Sequence, residues 1–358
     1  MGSEIIRKMV TIRQIDDIQP IEGADAIEKV IIDGWQVVSQ KGIHNIGDLV
    51  FYFSIDSFLP TDRPEFDFLK AKEGGKKTVF NGIEGHRLRT IRLRKTLSQG
   101  LIISQKHTDV TIFDVNEDYS EQFGVQKWDK PLPAELAGTV RSTFRTDLMP
   151  KTDQPRGQEI LRDLDIRRFA MPDETFEVTQ KLDGSSMTVY AFNGDYGVSS
   201  RNMDLIEDDN NTFWKIAKEK EILPWLISQS KFFNNCAIQG ELVGEGIQNN
   251  AEGIAGKDFF TFDIYDIDAK RYLLPKERRD ILPTDFISHV PVIFAEYSLA
   301  KDTEGLDRME MLQKLLDMAE GTNLSGKGKR EGIVFKSNID PHFSFKMIDN
   351  NYLLSEKD

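Results

Sequence analysis

The first hundred residues carry one strand signal after another and no long helical period. Segments 8–15, 27–32, 35–39, 48–53, 87–93 and 100–104 alternate apolar and polar side chains or run as short β-branched stretches. Gly23, Gly34, Gly42, Gly47, Gly82 and Gly85 punctuate them. About five or six short strands in so little chain suit a small β-barrel. A barrel over residues 1–105, of the OB type, is therefore the first expectation.

The length of 358 residues implies two domains or three. Hydrophobic residues make up 39% and charged residues 29%, which excludes a disordered chain. No apolar run approaches membrane-spanning length and no secretory signal opens the sequence, so no membrane role is expected. The single Cys236 reads as a small buried hydrophobe in a reducing compartment such as the cytoplasm. The five histidines are scattered without metal-ligand spacing.

Net charge is −13, which taken whole argues against nucleic acid. The distribution says otherwise. Residues 1–150 carry 20 Lys and Arg against 22 Asp and Glu, while residues 151–358 carry 26 against 37. The run His86-Arg-Leu-Arg-Thr-Ile-Arg-Leu-Arg-Lys95 has five cations and no acid, and Lys70-Ala-Lys-Glu-Gly-Gly-Lys-Lys77 adds a looser basic segment. Arg87, Arg89, Arg92 and Arg94 read either as a phosphate-tracking surface or as the solvated face of an amphipathic strand.

Residues 106–145 have poor pattern and contain Pro131 and Pro133, which marks a linker. Residues 146–358 then mix helices, at 213–222 and 308–319, with strands at 196–200, 237–243, 259–265, 291–295, 332–335 and 343–346. The overall class is α+β with mostly antiparallel sheet. Gly326-Lys-Gly-Lys-Arg330 reads as a short flexible basic loop.

Lys181-Leu-Asp-Gly184 carries the chemistry. Strand-like flanks place it at a turn between two strands. A lysine partly desolvated there, among other cations, is expected to have a lowered pKa and to act as a nucleophile. Its natural target is a nucleotide α-phosphate, with Asp183 helping to hold the neutralising metal. Standing alone the string is an ordinary Asp-Gly hairpin turn in left-handed conformation. Five segments follow it in order: Ser200-Arg-Asn202, Glu241-Leu-Val-Gly244, Phe260-Thr-Phe-Asp263, Glu331-Gly-Ile-Val-Phe-Lys336 and Ser344-Phe-Lys346. Each, singly, reads as strand ends, core aromatics or surface cations.

In this order and spacing they resemble the covalent nucleotidyltransferase superfamily, and within it the ATP-dependent RNA ligases. Pro150-Lys-Thr-Asp153, Ser344-Phe-Lys-Met-Ile348 and Asn351-Tyr-Leu-Leu354 look like the Deinococcus-type nick-sealing group, which carries an N-terminal OB module. The resemblance covers about residues 146–354 and implies an antiparallel-sheet nucleotidyltransferase domain. It implies ATP and Mg²⁺ or Mn²⁺ as cofactors, a lysyl-AMP on Lys181, and RNA 3′-hydroxyl and 5′-phosphate ends as partners, with no obligate protein partner. Thr179 and Gln180 then lie where the family reads adenine, and Phe262 where it stacks the base. Arg201 fits the cation gripping nucleotide or 5′-phosphate. Asp183, Glu241 and Glu331 look like the acidic set around the metal, with Glu241 alternatively on the ribose. Lys346 is similar to the lysine on the α-phosphate, with Lys336 assisting. One departure is that Met347 and Ile348 follow Lys346 where many ligases carry a second lysine. A GTP-dependent capping guanylyltransferase, a DNA ligase and a non-catalytic nucleic-acid-binding protein are the alternatives.

Overall fold

The computed structural model describes residues 7–70, 78–108, 110, 114–115, 117–129, 139–229, 233–282 and 287–355. The chain forms two compact units, the smaller built on Ile6–Pro131 and the larger on Leu132–Tyr352.

In the smaller unit every strand ladder is antiparallel and short. Leu49–Phe53 lies between Val10–Gln14 and Leu101–Ser104. A second sheet runs Gln126–Lys127, Ser57–Pro60, Ile83–Arg87 and Thr78–Phe80, and Asp17–Pro20, Ile27–Ile32 and Trp35–Gln40 form a meander. Phe51, Phe53, Phe66 and Phe123 meet edge to face in the core, joined by Tyr119. This core reaches past residue 105, because Tyr119, Phe123 and Val125 enter it from the stretch expected to be a linker. They come from a turn and the irregular chain around it, which have no hydrophobic period to read. Pro131, Pro133 and residues 71–77 of the second basic segment lie outside the described residues.

One expected strand breaks. The segment 87–93 splits between Ile83–Arg87 and Thr90–Leu93, which belong to different sheets. Arg87 and Arg89 therefore do not share a strand face. Thr90–Leu93 pairs with Thr96–Gln99, and Arg94 and Lys95, at φ 49° and 65°, make the two-residue turn between them.

The larger unit has two antiparallel sheets, each with one face packed on helices; the other face of the seven-stranded sheet carries a smaller apolar cluster of Tyr190, Ala237 and Tyr265 with Phe144 and Met149. The seven-stranded sheet runs Val140–Thr143, Met203–Leu205, Asp195–Ser200, Ser185–Phe192, Cys236–Gly244, Lys257–Asp266, Arg271–Tyr272. Met187, Val189, Ile238, Leu242, Phe259 and Ile264 leave it on one side to bury Phe213, Trp214 and Leu226 of helices Thr212–Glu219 and Ile222–Ser228. The single helix expected over 213–222 is thus two, broken at Glu221 with φ 48°. The four-stranded sheet runs Val292–Tyr297, Phe176–Lys181, Gly332–Ser337, Ser344–Ile348. Phe176, Val178, Ile333, Phe335, Phe345 and Met347 pack on helices Leu161–Ala170 and Arg308–Ala319. Period-2 alternation then gives the opposite face to Glu177, Thr179, Lys181, Lys336 and Lys346. No helix among the described residues is long and apolar enough to cross a membrane.

Candidate active site

Lys181 ends its strand, and the chain crosses from the four-stranded to the seven-stranded sheet before Ser185–Phe192 begins. Both expected flanking strands form, but in different sheets, so the connection between them is a crossover and the reading of the string as an ordinary hairpin turn does not hold. Gly184 is required for space rather than for a left-handed turn. A Cβ there would overlap the Leu242 carbonyl and crowd Val243 and Glu241.

Lys181 Nζ donates to Glu331 Oε2 at 2.6 Å. Burial pulls the ammonium pKa down, but Glu331, Glu241 and Asp183 outweigh it, and the group lies above the ordinary lysine value. The lowered pKa expected for Lys181 is therefore not found, because its neighbours are carboxylates and not cations. Glu241 projects from Cys236–Gly244 opposite Ser186 and Phe260. Burial pushes its carboxyl up to about 8, Lys181 opposing and Glu331 and Asp183 reinforcing. Asp183 Oδ2 accepts from the Tyr352 hydroxyl at 2.5 Å. The Asp183 amide donates to Glu252 Oε1 at 2.9 Å, and Glu252 Oε2 accepts from the Leu324 amide at 2.9 Å.

A second charged group spans the two sheets. Lys336 Nζ pairs with Asp263 Oδ1 at 2.5 Å and donates to the Phe262 carbonyl at 2.7 Å. Arg278 donates to the same carbonyl at 2.5 Å and to Glu177 Oε1 at 2.6 Å, and Arg279 also meets Glu177. Glu177 and Arg278 are 0% and 1% exposed. Burial lowers Lys336 to about 8, Asp263 opposing and Arg278 reinforcing. The Phe262 carbonyl is available because of a β-bulge. Gln239 pairs with Asp263 and Gly240 with Thr261, which leaves Phe262 without a cross-strand partner. Its ring joins a small apolar cluster with Leu182, Val243 and Val290, and Lys336 Nζ lies 5.2 Å from the ring centre.

Thr179 and Gln180 are buried ahead of Lys181. The Gln180 amide donates to the Pro291 carbonyl at 2.8 Å, and its side-chain Nε2 has no hydrogen-bond partner among the described residues. Arg201 follows Asp195–Ser200 and grips both oxygens of Asp153 at 2.9 Å. The 150–153 segment is further tied down by Gln239 to the Pro150 carbonyl and by Thr152 to Ser186. Register sets Lys346 opposite Val334, on the sheet face of Lys181 and Lys336.

A family model described as RNA ligase matches residues 174–348, and one described as an OB-fold domain matches residues 9–105. A comparison with curated proteins gives no match. Among solved structures, an RNA ligase from Naegleria gruberi, a lysine-to-alanine variant with ATP and Mn, is 38% identical with TM-score 0.85. That alignment covers 98% of this chain and 99% of the other. The chain belongs to the RNA ligase family. A lysine-to-methionine variant of the Naegleria gruberi ligase with AMP and Mn gives 38% and TM-score 0.86 over 98% and 100% of the two chains. The same ligase with PPi gives 38% and 0.85 over 97% and 98%.

The N-terminal unit of this RNA ligase is thus an OB-fold domain, followed by the nucleotidyltransferase domain. Its four arginines differ from one another. Arg87 is held inside the unit, paired with Asp56 at 2.7 Å and stacked 3.9 Å over Trp128. Arg92 and Arg94 are exposed, and Arg89 is half-buried. Among the described residues no three His, Cys, Asp or Glu are grouped so as to hold a metal ion by themselves. Asp183, Glu241 and Glu331 instead converge on the Lys181 ammonium. Such oxygen donors, with one carboxyl pushed to about 8 by its neighbours and burial, suit a hard cation that keeps much of its water.

Sequence reasoning passes over Glu252, Glu177, Arg278 and the Tyr352 hydroxyl. Arg278 sits in Lys276-Glu-Arg-Arg-Asp280, which has the look of a solvated helix, and Glu177 occupies a strand position that reads as solvent-facing. Tyr352 lies in Asn351-Tyr-Leu-Leu354, but nothing local to it points at Asp183.

Proposed function

We propose that this chain is an ATP-dependent RNA ligase that seals 3′-hydroxyl and 5′-phosphate ends at nicks in duplex, with Lys181 as the nucleophile. The observation that carries this is Lys181 Nζ set 2.6 Å from Glu331 among three carboxylates, in a chain of the RNA ligase family. The solved relatives add support. Variants of the Naegleria gruberi protein replace a lysine and an aspartate two positions after it, the spacing of Lys181 and Asp183, and its structures hold ATP, AMP or PPi.

In the first step Lys181 Nζ gives up a proton and bonds to the α-phosphorus of ATP, and the bond from that phosphorus to the β-phosphate oxygen breaks. Pyrophosphate leaves and lysyl-AMP remains. The closest acceptor for the proton is Glu331 Oε2. A divalent cation at Asp183, Glu241 and Glu331 supplies positive charge that weakens their hold on the Lys181 proton and offsets charge on the phosphates. AMP then passes to the RNA 5′-phosphate, and the 3′-hydroxyl displaces AMP to form the phosphodiester. Positioning and cationic stabilisation of phosphoryl charge do most of this work. Phe262 stacks the adenine and Thr179 and Gln180 read its edge. Arg201 and Lys346 hold phosphate, with Glu241 on metal or ribose. Lys336 serves through Phe262 and Asp263, to which its amine is already committed. The OB-fold domain holds the duplex backbone, with Arg92 and Arg94 as exposed contacts.

Incubation with α-labelled ATP and Mg²⁺, after discharging carried-over nucleotide, should leave label on the denatured protein, and Lys181→Ala should remove it. Label from GTP instead indicates a capping activity, and no label from either indicates a binding protein. A nicked duplex should be sealed faster than two single strands, and equal rates would remove the nick preference from the proposal.

A further inference from the structure

The basic string Gly326-Lys-Gly-Lys-Arg330 has no place in the chemistry above, and it is not loose. Asn323 fastens its base. The Asn323 amide donates to the Gly328 carbonyl at 2.9 Å, its side-chain oxygen accepts from the Gly328 amide at 3.1 Å, and its Nδ2 donates to the Ala251 carbonyl at 2.7 Å. Ser325 hydrogen-bonds Asn323, and its amide donates to the Glu252 carbonyl. Arg330 is spent on structure, donating to the Ala319 carbonyl at 2.9 Å and to those of Met318 and Glu320, where it closes helix Arg308–Ala319. The expected flexible loop is therefore a pinned one.

Its position is set by one buried carboxylate. Glu252, 1% exposed, accepts the Leu324 amide on one oxygen and the Asp183 amide on the other. Leu324 also packs with Leu182 in the cluster that holds Phe262. The loop is thus in register with the nucleophile's own segment. At its tip Lys327 and Lys329 are exposed, and neither makes an ion pair among the described residues. They stand on a half of the chain that carries 26 cations against 37 acids. Two uncompensated ammonium groups, on a loop whose base is tied through Glu252 to the Asp183 amide, match a chain of phosphates on a half of the molecule that is otherwise acidic.

We propose that the loop 323–329 is a polynucleotide-contact element, with Lys327 and Lys329 on backbone phosphates next to the joining site. This rests on the RNA ligase reading. Contacts of this kind give affinity that falls with salt and does not depend on base sequence.

The test measures binding of a nicked RNA duplex by the unadenylated protein across a salt series, alongside ATP labelling of Lys181. The doubly substituted Lys327→Ala, Lys329→Ala protein should take label normally. Its plot of log affinity against log salt should be shallower by about 1 per lysine lost. Lys327→Arg with Lys329→Arg should restore the slope, and Lys→Glu at both positions should weaken binding further. Unchanged affinity and slope in the Ala and Glu proteins would overturn the proposal. Absence of label on the unsubstituted protein would instead strike the ligase reading. Both lysines are exposed, so the substituted proteins should fold as the parent does.

Discussion

Lys181 and Lys336 rise from one face of one sheet, and their surroundings push them in opposite directions. Three carboxylates meet Lys181, and its proton is held more tightly than on an ordinary lysine. Lys336 is enclosed with one carboxylate and the Arg278 guanidinium, so burial dominates and its amine falls to about 8. The lysine proposed as nucleophile is the one least ready to lose its proton, while the easily deprotonated one is locked to Asp263 and a carbonyl. Local charge count, and not burial as such, separates the two: an acidic surplus surrounds Lys181, while the charges around Lys336 pair with one another.

The sharpest way to break this contrast is to remove each amine. Lys181→Ala should abolish the AMP adduct while the protein still folds. Lys336→Met leaves Asp263 buried without its ammonium, which should cost about 3–5 kcal/mol in urea unfolding. If Lys336→Met is as stable as the parent, the second group is not the structural one.

Titration of the lysine side-chain resonances should find Lys336 near 8 and Lys181 above the ordinary lysine range. The stability consequences have opposite signs. The folded pKa of Lys336 lies below its unfolded value of about 10.4, so its burial penalty is full below pH 8 and fades as pH climbs from about 8 toward that value. Lys181 stabilises at and below the ordinary lysine value and loses that contribution as pH rises through its higher folded one.

Glu241 offers a third test. Its folded pKa of about 8 exceeds the ordinary 4.5, so its contribution falls as pH rises between those two values. Glu241→Gln should flatten that part of the stability curve and reduce adduct formation. An unchanged pH slope would show that the carboxylates do not share the charge as described. The smallest expected effect belongs to Tyr352→Phe, which removes one hydrogen bond to Asp183. A loss of about 1.5 kcal/mol is expected, and the Mg²⁺ dependence of labelling is where it should register.

How much of this could be read in advance depends on the kind of residue. Glu241, Glu331 and Lys181 are legible because each sits in a short string whose order along the chain is itself informative. Helix Arg308–Ala319 forms over the span its period predicts, with Asp307 and Glu310 completing a capping box. Helix Leu161–Ala170 escapes notice, since Arg162, Asp163, Asp165, Arg167 and Arg168 crowd it and only Leu161 and Leu164 among its apolar residues are buried. Glu252 is a lone acid in a loop, and its two backbone partners lie 69 and 72 residues away. The burial of Glu177 and Arg278 depends on two sheets meeting, which neither local string contains. Lys181 shows the same limit for energetics, because two of its three acidic neighbours, Glu241 and Glu331, are far from it in sequence.

The extra residue at Phe262 acts as a phase shift in its strand. Up to Thr261 the alternation sets Phe259 toward the helices and Phe260 with Glu241. Beyond the bulge Asp263 joins the Glu241 side while Ile264 returns to the helices. Deleting Phe262 would close the bulge and still leave Asp263 opposite Gln239 and Ile264 opposite Ile238, so both faces of the strand would survive. The loss would fall on the carbonyl that Lys336 and Arg278 share and on the ring beside Leu182, so the added residue serves the polar face alone.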